Sequence, residues 1–484
     1  MRRAYKKQFV IGILSVFIIS STYLAGCSKH SVDPTKNNTY ELTDEALQGG
    51  VNGTINLQTG EAFAQPIPPM LTADEISFKV GRSFFHTSWV TAPASTTAVD
   101  GLGPIFNTNS CNSCHIEDGR GRTPFSESEQ LTSLLIRLSI NGQDPHGGPN
   151  PDPDLGIQLR NNSILKAAPD GQVYVTYANK IVAYPDGSTD TLRAPTYQIK
   201  NLRNGHAVNF MTSPRIADQL VGMGLLQAVP ESTIISFADP GDSNHDGIIG
   251  KANYVWDVEK QQTVLGRFGW KANEPTVRQQ VAGALSNDVG ITTPVFPAAS
   301  LYGLEQTLYG GLIDGSDSIG KPELPEPFFT NTVFYTEALA VPQRRNVNDP
   351  TVQHGKALFF QISCANCHKP QMKTGDFPDV PLLSNQTIHP YTDLLLHDMG
   401  TDLADGRPDY MASGSEWRTA PLWGIGLVSL VNNNNGMFLM HDGRARTIEE
   451  AILWHGGEAL NSKNAFMKLS KTDRTALIKF VNDL

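Results

Sequence analysis

Four of the five cysteines fall in two copies of one pattern, CNSCH at 111–115 and CANCH at 364–368, and each copy ends in histidine. Two thiols three positions apart on a helical turn can form thioethers to the two vinyl groups of one haem, and the next residue is then carried to the iron as its proximal ligand. On this reading Cys111 and Cys114 hold one haem c with His115 on its iron, and Cys364 and Cys367 hold a second with His368 on its iron. A redox dithiol or half of a zinc site also begins with CxxC. One zinc ion shared by both pairs leaves the two trailing histidines unexplained.

Elements of some size must position these motifs. A chain of 484 residues is too long for one small core and predicts two domains, or one large domain with insertions. Each motif is expected to open a cytochrome c-like helical domain, over about 75–343 and 344–484. The fold class expected is therefore mainly α, with long loops, since Gly 43 and Pro 31 favour turns. The first half is longer than a bare haem c unit and must carry insertions. One is visible at 172–200, QVYVTYANKIVAYPDGSTDTLRAPTYQIK, which is β-rich and turns at PDG. Helix signals are clearest at the C-terminus. Thr447 and Glu450 have capping-box spacing, and Ser470 is placed to cap a helix with Leu477, Phe480, Val481 and Leu484 on one face.

The N-terminus reads as a targeting segment. Four cationic residues in MRRAYKK precede the apolar FVIGILSVFIISSTYL, and LAGC follows. This predicts a lipoprotein signal peptide over 1–26, lipidation at Cys27, a polar flexible tether over 27–74, and a protein anchored on the periplasmic side of the cell envelope. An ordinary signal peptide or a single membrane anchor is the alternative. Export implies an oxidising compartment, in which paired thiols are either bridged or ligated. Net charge is −10, or −14 without the leader, and no basic run lies beyond it, which argues against nucleic acid as a partner.

DGLGPIFNTNSCNSCHIEDGRG (100–121), GRFGWKA (266–272), LLLHDMGTDLADG (394–406) and HDGRARTIEEAILWHGGEA (441–459) resemble the di-haem c-type oxidoreductases, relatives of bacterial di-haem cytochrome c peroxidases and of MauG-type enzymes that modify a partner's tryptophan. The resemblance covers nearly everything after residue 75. It implies that His455, fourteen residues after His441, is the distal ligand of the second haem, with Met440 and Met437 as runners-up. It implies that His441, Asp442 and Arg444 form a loop network near that haem, and that His397 and Met399 cover it. It implies that Trp270 lies between the haems and that Gln280 lies in the catalytic pocket. The family's catalytic Glu position is Gly290 here, and the nearest carboxylate is Asp288. Either Asp288 substitutes for that Glu or the pocket does other chemistry; Gln280 and Asp288 also suit a polar helix face and its cap. His86, His146 and His206 are the remaining candidates for a distal ligand to the first haem.

DSNHDGIIG (242–250) places Asp242, Asn244 and Asp246 at alternate positions before Gly247, like the opening of a calcium loop. The twelfth position is Asn253 rather than Glu, so a tight Asx-rich turn is equally open. Three functions are compatible with these residues. They are peroxidase-like chemistry at the first haem with electrons entering through the second, a non-catalytic electron carrier, and an oxidant of a partner protein. A small redox protein is the expected electron partner, and peroxide a candidate oxidant.

Overall fold

The computed structural model describes residues 45–68, 70–312 and 321–484, all within one compact unit. The leader expected at 1–26 and Cys27 lie outside the described residues. Two helix pairs, one in each half, form the frame. Thr72–His86 packs on Phe328–Glu337, and Pro350–Gln361 packs on Lys471–Asp483. Both crossings use the same device. Gly81 lies against the Asn331 carbonyl and Gly355 against the Ala476 carbonyl, so close that a Cβ at either position would collide with backbone. Four residues after each glycine stands an aromatic ring. Phe85 meets Tyr335 and Phe359 meets Phe480, each with ring centres 5.3 Å apart.

The helix signals hold. Ser470 accepts from the Asp473 N–H, and Leu477, Phe480, Val481 and Leu484 are all buried. Thr447 accepts from the Glu450 N–H, but the Glu450 carboxylate turns to the Arg446 N–H instead of closing a capping box. The β-rich insertion is a long antiparallel hairpin, Gln172–Ala183 with Thr189–Lys200, closed by the Tyr184 N–H to Ser188 carbonyl bond.

The expected fold class requires correction. The protein is 29 % helical and 18 % strand, a mixed α/β fold with many small sheets, not mainly α. Apart from the hairpin, the longest pairing joins Leu134–Ser139 to Met211–Ile216, and most sheets join two strands of two to four residues. Such strands are too short to show a period in sequence. The described part of the stretch expected as a tether is packed. Thr54–Ile55 pairs with Val341–Pro342, Phe63 is wholly buried, and the Gln48 amide donates to the carbonyls of Pro342 and Leu484. Its polar side chains serve distant backbone, which composition alone does not show. Among the described residues no helix is long and apolar enough to cross a membrane.

Candidate functional site

Each helix pair presents one cysteine motif to a cavity. In the N-terminal half, the Cys114 and His115 N–H groups donate to the Cys111 carbonyl, which closes a turn and sets both thiols on one side. They open into a cavity of about 1340 Å³, mouth included, lined also by Phe85, Trp270, Gln280 and Asp288. The His115 ring lies 6.2 Å from Phe85, centre to centre, and its Nδ1 is 2.7 Å from the Asp218 carbonyl. Burial lowers the His115 pKa, so the ring is neutral. Its single N–H is then spent on that carbonyl, which leaves Nε2 as a lone pair.

The C-terminal half repeats this arrangement. Asp349 caps Pro350–Gln361, Ser363 turns in the left-handed region, and the His368 N–H reaches the Cys364 carbonyl. Cys364, Cys367 and His368 line a separate cavity of about 1420 Å³, mouth included. His368 again lies 6.2 Å from an aromatic ring, here Phe359, and its Nδ1 is 2.9 Å from the Tyr391 carbonyl. Burial, aided by His455, pushes its pKa down to about 4. His455 comes from just past the helix Ile448–Trp454 and is itself pushed down by burial. Its Nδ1 is 2.7 Å from the Ala451 carbonyl, and its ring centre lies 6.5 Å from that of His368.

The four thiols are unbridged, and burial pushes Cys111 and Cys364 up to about 12 and Cys114 and Cys367 upward as well. They are therefore thiols rather than thiolates at neutral pH, unlike the cysteines of redox dithiols. The pairs open into different cavities, so one zinc ion cannot join them. Among the described residues, one trio of metal-ligating side chains converges: Cys367, Asp393 and His397. His397 lies between Asp393 at 2.9 Å and Glu458 at 2.6 Å. Burial works against its charge, but the two carboxylates outweigh burial and hold His397 well above the usual pKa.

The two cavities share a wall. Trp270, Gln219 and Arg418 line both. Trp270 is 8 % exposed and its Nε1–H donates to the Ile216 carbonyl at 2.8 Å. The Arg120 guanidinium lies 5.2 Å from the centre of its ring and pairs with Asp218 at 2.7 Å. Asp218 thus holds His115 through its carbonyl and Arg120 through its carboxylate, while Arg418 is 3.6 Å from its second oxygen. Sequence reasoning missed Arg120, Asp218, Gln219 and Arg418, which carry no spacing signal.

Gln280 lines the first cavity from the helix Val277–Ala284, and no described residue hydrogen-bonds its side chain. Asp288 follows on the turn Leu285–Val289. Its Oδ1 accepts from Gln158 Nε2 at 2.5 Å, and burial raises its pKa against the pull of Arg137. Gln158 also donates to Asn107 at 2.6 Å, which fixes the amide's orientation because the Asn107 amide donates elsewhere. Asn287 lies outside the cavity lining, bonded to Gly283 and Ser300. Gly290 has φ +78° and would place a Cβ 2.9 Å from the Gly103 Cα, so no larger residue fits there.

The other candidate histidines lie apart. His86 is beside Tyr335 and Asp118, His146 stacks on Trp256 at 4.0 Å, and His206 meets Asp152 at 3.2 Å; none lines the first cavity. Met223 does line it, a sulfur that sequence reasoning overlooked. In the second cavity Met399, Met440 and His441 are lining residues, and His441 stacks on Trp417 at 3.8 Å. Arg444 is outside the lining, its fork taken by Asp442 and the Asp402 carbonyl. In the 242–250 loop Asn244 and Asp246 each accept from the N–H two residues on, the Asx-turn pattern, while Asp242 accepts from the Gly247 N–H five residues on.

No curated relative and no solved structure matches the chain at a significant level. One family does, described as di-haem oxidoreductase, putative peroxidase, and its sequence pattern runs over residues 43–484. With nearly the full length matched and both thiol pairs placed beside a neutral imidazole, the chain belongs to the di-haem oxidoreductase family.

Proposed function

We propose that the chain binds two haem c groups and acts as a peroxidase-like oxidoreductase, with the N-terminal cavity as the reaction site and the C-terminal one as the electron entry site. What carries this reading is the pair of cavities, each with a thiol pair and a neutral imidazole, meeting at Trp270. Cys111, Cys114, Cys364 and Cys367 would form the thioethers, with His115 and His368 as proximal ligands. When bound, haem supplies an iron centre that exchanges electrons one at a time and can take an oxidant at an open position.

His455 fits as the second ligand on the His368 side. Both rings line one cavity, so His368 and His455 would both hold the iron of the second haem. The observed separation of the two ring centres is 6.5 Å. Among the described residues the first cavity offers no second imidazole, which favours catalysis there over a carrier with both sites closed. Asp288 has one oxygen held by Gln158 and the other available to take a proton from one peroxide oxygen and return it to the other. Gln280 is free to orient that oxidant, and Trp270 stands where charge passes between the cavities. The expected setting is a lipid-anchored protein in the cell envelope, attached through Cys27 and served by a small redox protein. Calcium at 242–253 stays in the proposal only through the spacing of Asp242, Asn244 and Asp246.

A pyridine-haemochrome assay combined with ferric spin-state spectra tests the proposal. The expected result is two haems per chain, one high-spin and one low-spin. Two low-spin haems, with Met223 closing the first site, would establish the carrier reading instead. Fewer than two haems would end both.

A further inference from the structure

The proposed chemistry leaves one cation of the first cavity unused. The strand Leu134–Ser139 turns Leu134, Ile136 and Leu138 into a small core, while Leu135 and Arg137 of the same strand line the cavity. On the antiparallel neighbour, Ser213 lies opposite Arg137 and Arg215 lies opposite Leu135. Two guanidiniums therefore sit diagonally on one sheet face, and both line the cavity. Arg215 is fully engaged, donating to Ser213 at 3.1 Å, Asn273 at 3.2 Å and Asp409 at 2.7 Å. Arg407 shares Asp409 at 3.1 Å. The Arg137 side chain makes no hydrogen bond or ion pair to any described residue, although Asp288 and Glu274 are near enough to feel its charge. Three guanidiniums thus gather where a single carboxylate hydrogen-bonds two of them and none hydrogen-bonds the third.

A guanidinium in a partly desolvated cavity with its N–H donors unfilled is costly, and its planar fork fits two oxygens at once. We propose that Arg137 is the receptor for a carboxylate or similar small oxyanion in the first cavity. Two sources share that chemistry, a propionate of the bound haem and a free anionic small molecule. The haem source rests on the function proposed above; the free-anion source does not.

The haem-loaded protein, its Arg137→Gln variant and its Arg137→Lys variant are titrated with acetate by calorimetry, and the midpoint potentials of both haems are measured. If the anion comes from solution, the parent binds acetate saturably, the Gln variant binds at least tenfold more weakly, and the Lys variant falls between. If a propionate occupies Arg137, the parent does not bind acetate, and the Gln variant lowers one midpoint potential because a cation that favours the reduced iron is gone. Equal acetate binding in parent and Gln variant, or neither binding nor a shift in potential, overturns the proposal. The haemochrome count is read on the same samples. A deficit there removes the two-haem reading and the propionate source with it, while saturable acetate binding lost in the Gln variant still reports on Arg137 by itself.

Discussion

On the proposed function, Asp288 would replace a missing residue from a neighbouring position. At Gly290 the positive φ and the contact with Gly103 exclude any side chain, so a carboxyl must reach the cavity from elsewhere. Asp288 does so, with its Oδ1 on Gln158. Asp288→Asn should lower peroxide turnover by about 10²–10⁴-fold, the usual range for losing a positioned acid–base group. Gln158→Leu tests the orientation of the carboxyl. Its hydrogen bond holds the Asp288 pKa down, so removing it should move the acidic limb of the pH–rate profile to higher pH with a smaller loss of rate. An unmoved limb would make Gln158 purely structural. The CxxCH motifs were legible at this scale because all their chemistry lies within five residues. Asp288 was legible only as the nearest carboxylate to an empty position. Gln158 and Asp218 were not legible, because each reaches the site from a segment distant in sequence, and Arg120, five residues after His115, carries no spacing signal of its own.

The elements divide in the same way. Helices with a cap and an apolar stripe, such as Lys471–Asp483, could be read directly, as could the hairpin with its PDG turn. The short strands could not, nor could the two glycine crossings, because a close approach is a property of two segments together. The helix Phe328–Glu337 supplies one side of the first crossing and ends on a buried carboxyl. Burial raises Glu337 from 4.5 to about 7, while Gln227 donates to it at 2.7 Å and pulls the other way. The folded state therefore keeps a proton between these two pH values that the unfolded chain has released. Stability should fall as pH rises across that window, by on the order of 3 kcal/mol from this group, and then level off. Glu337→Gln should flatten that slope in denaturant unfolding measured from pH 4.5 to pH 8. A parallel slope in the variant would mean that Glu337 ionises in the folded state as it does in the unfolded chain.

On the scale of the molecule, the hairpin 172–200 belongs by sequence to the N-terminal half, yet it fastens the segment that leads to His455. Tyr184 donates to Glu449 at 2.6 Å, and Arg474 pairs with Asp186 at 2.8 Å. Arg193 donates to the carbonyls of Gly443 and Arg444, and Tyr197 donates to Asp442 at 3.1 Å. Arg446 returns a bond to the Thr191 carbonyl at 2.6 Å. Most of these bonds are partly buried and end on 442–449, just ahead of the turn that presents His455. The hairpin therefore acts on His455 by holding its helix, without itself lining the second cavity. Replacing 176–196 with a two-glycine link should leave the His368 side intact, because Phe359 and the Tyr391 carbonyl hold that ring from other elements. If His455 holds the second haem's iron as proposed, that bond should weaken and the low-spin ferric signal of that haem should convert in part to high-spin. Adding imidazole should restore it, since a free ring can occupy the position that His455 leaves. A low-spin signal unchanged by the deletion would show that Ile448–Trp454 holds His455 without the hairpin, and would reduce the insertion to a surface ornament of the first half.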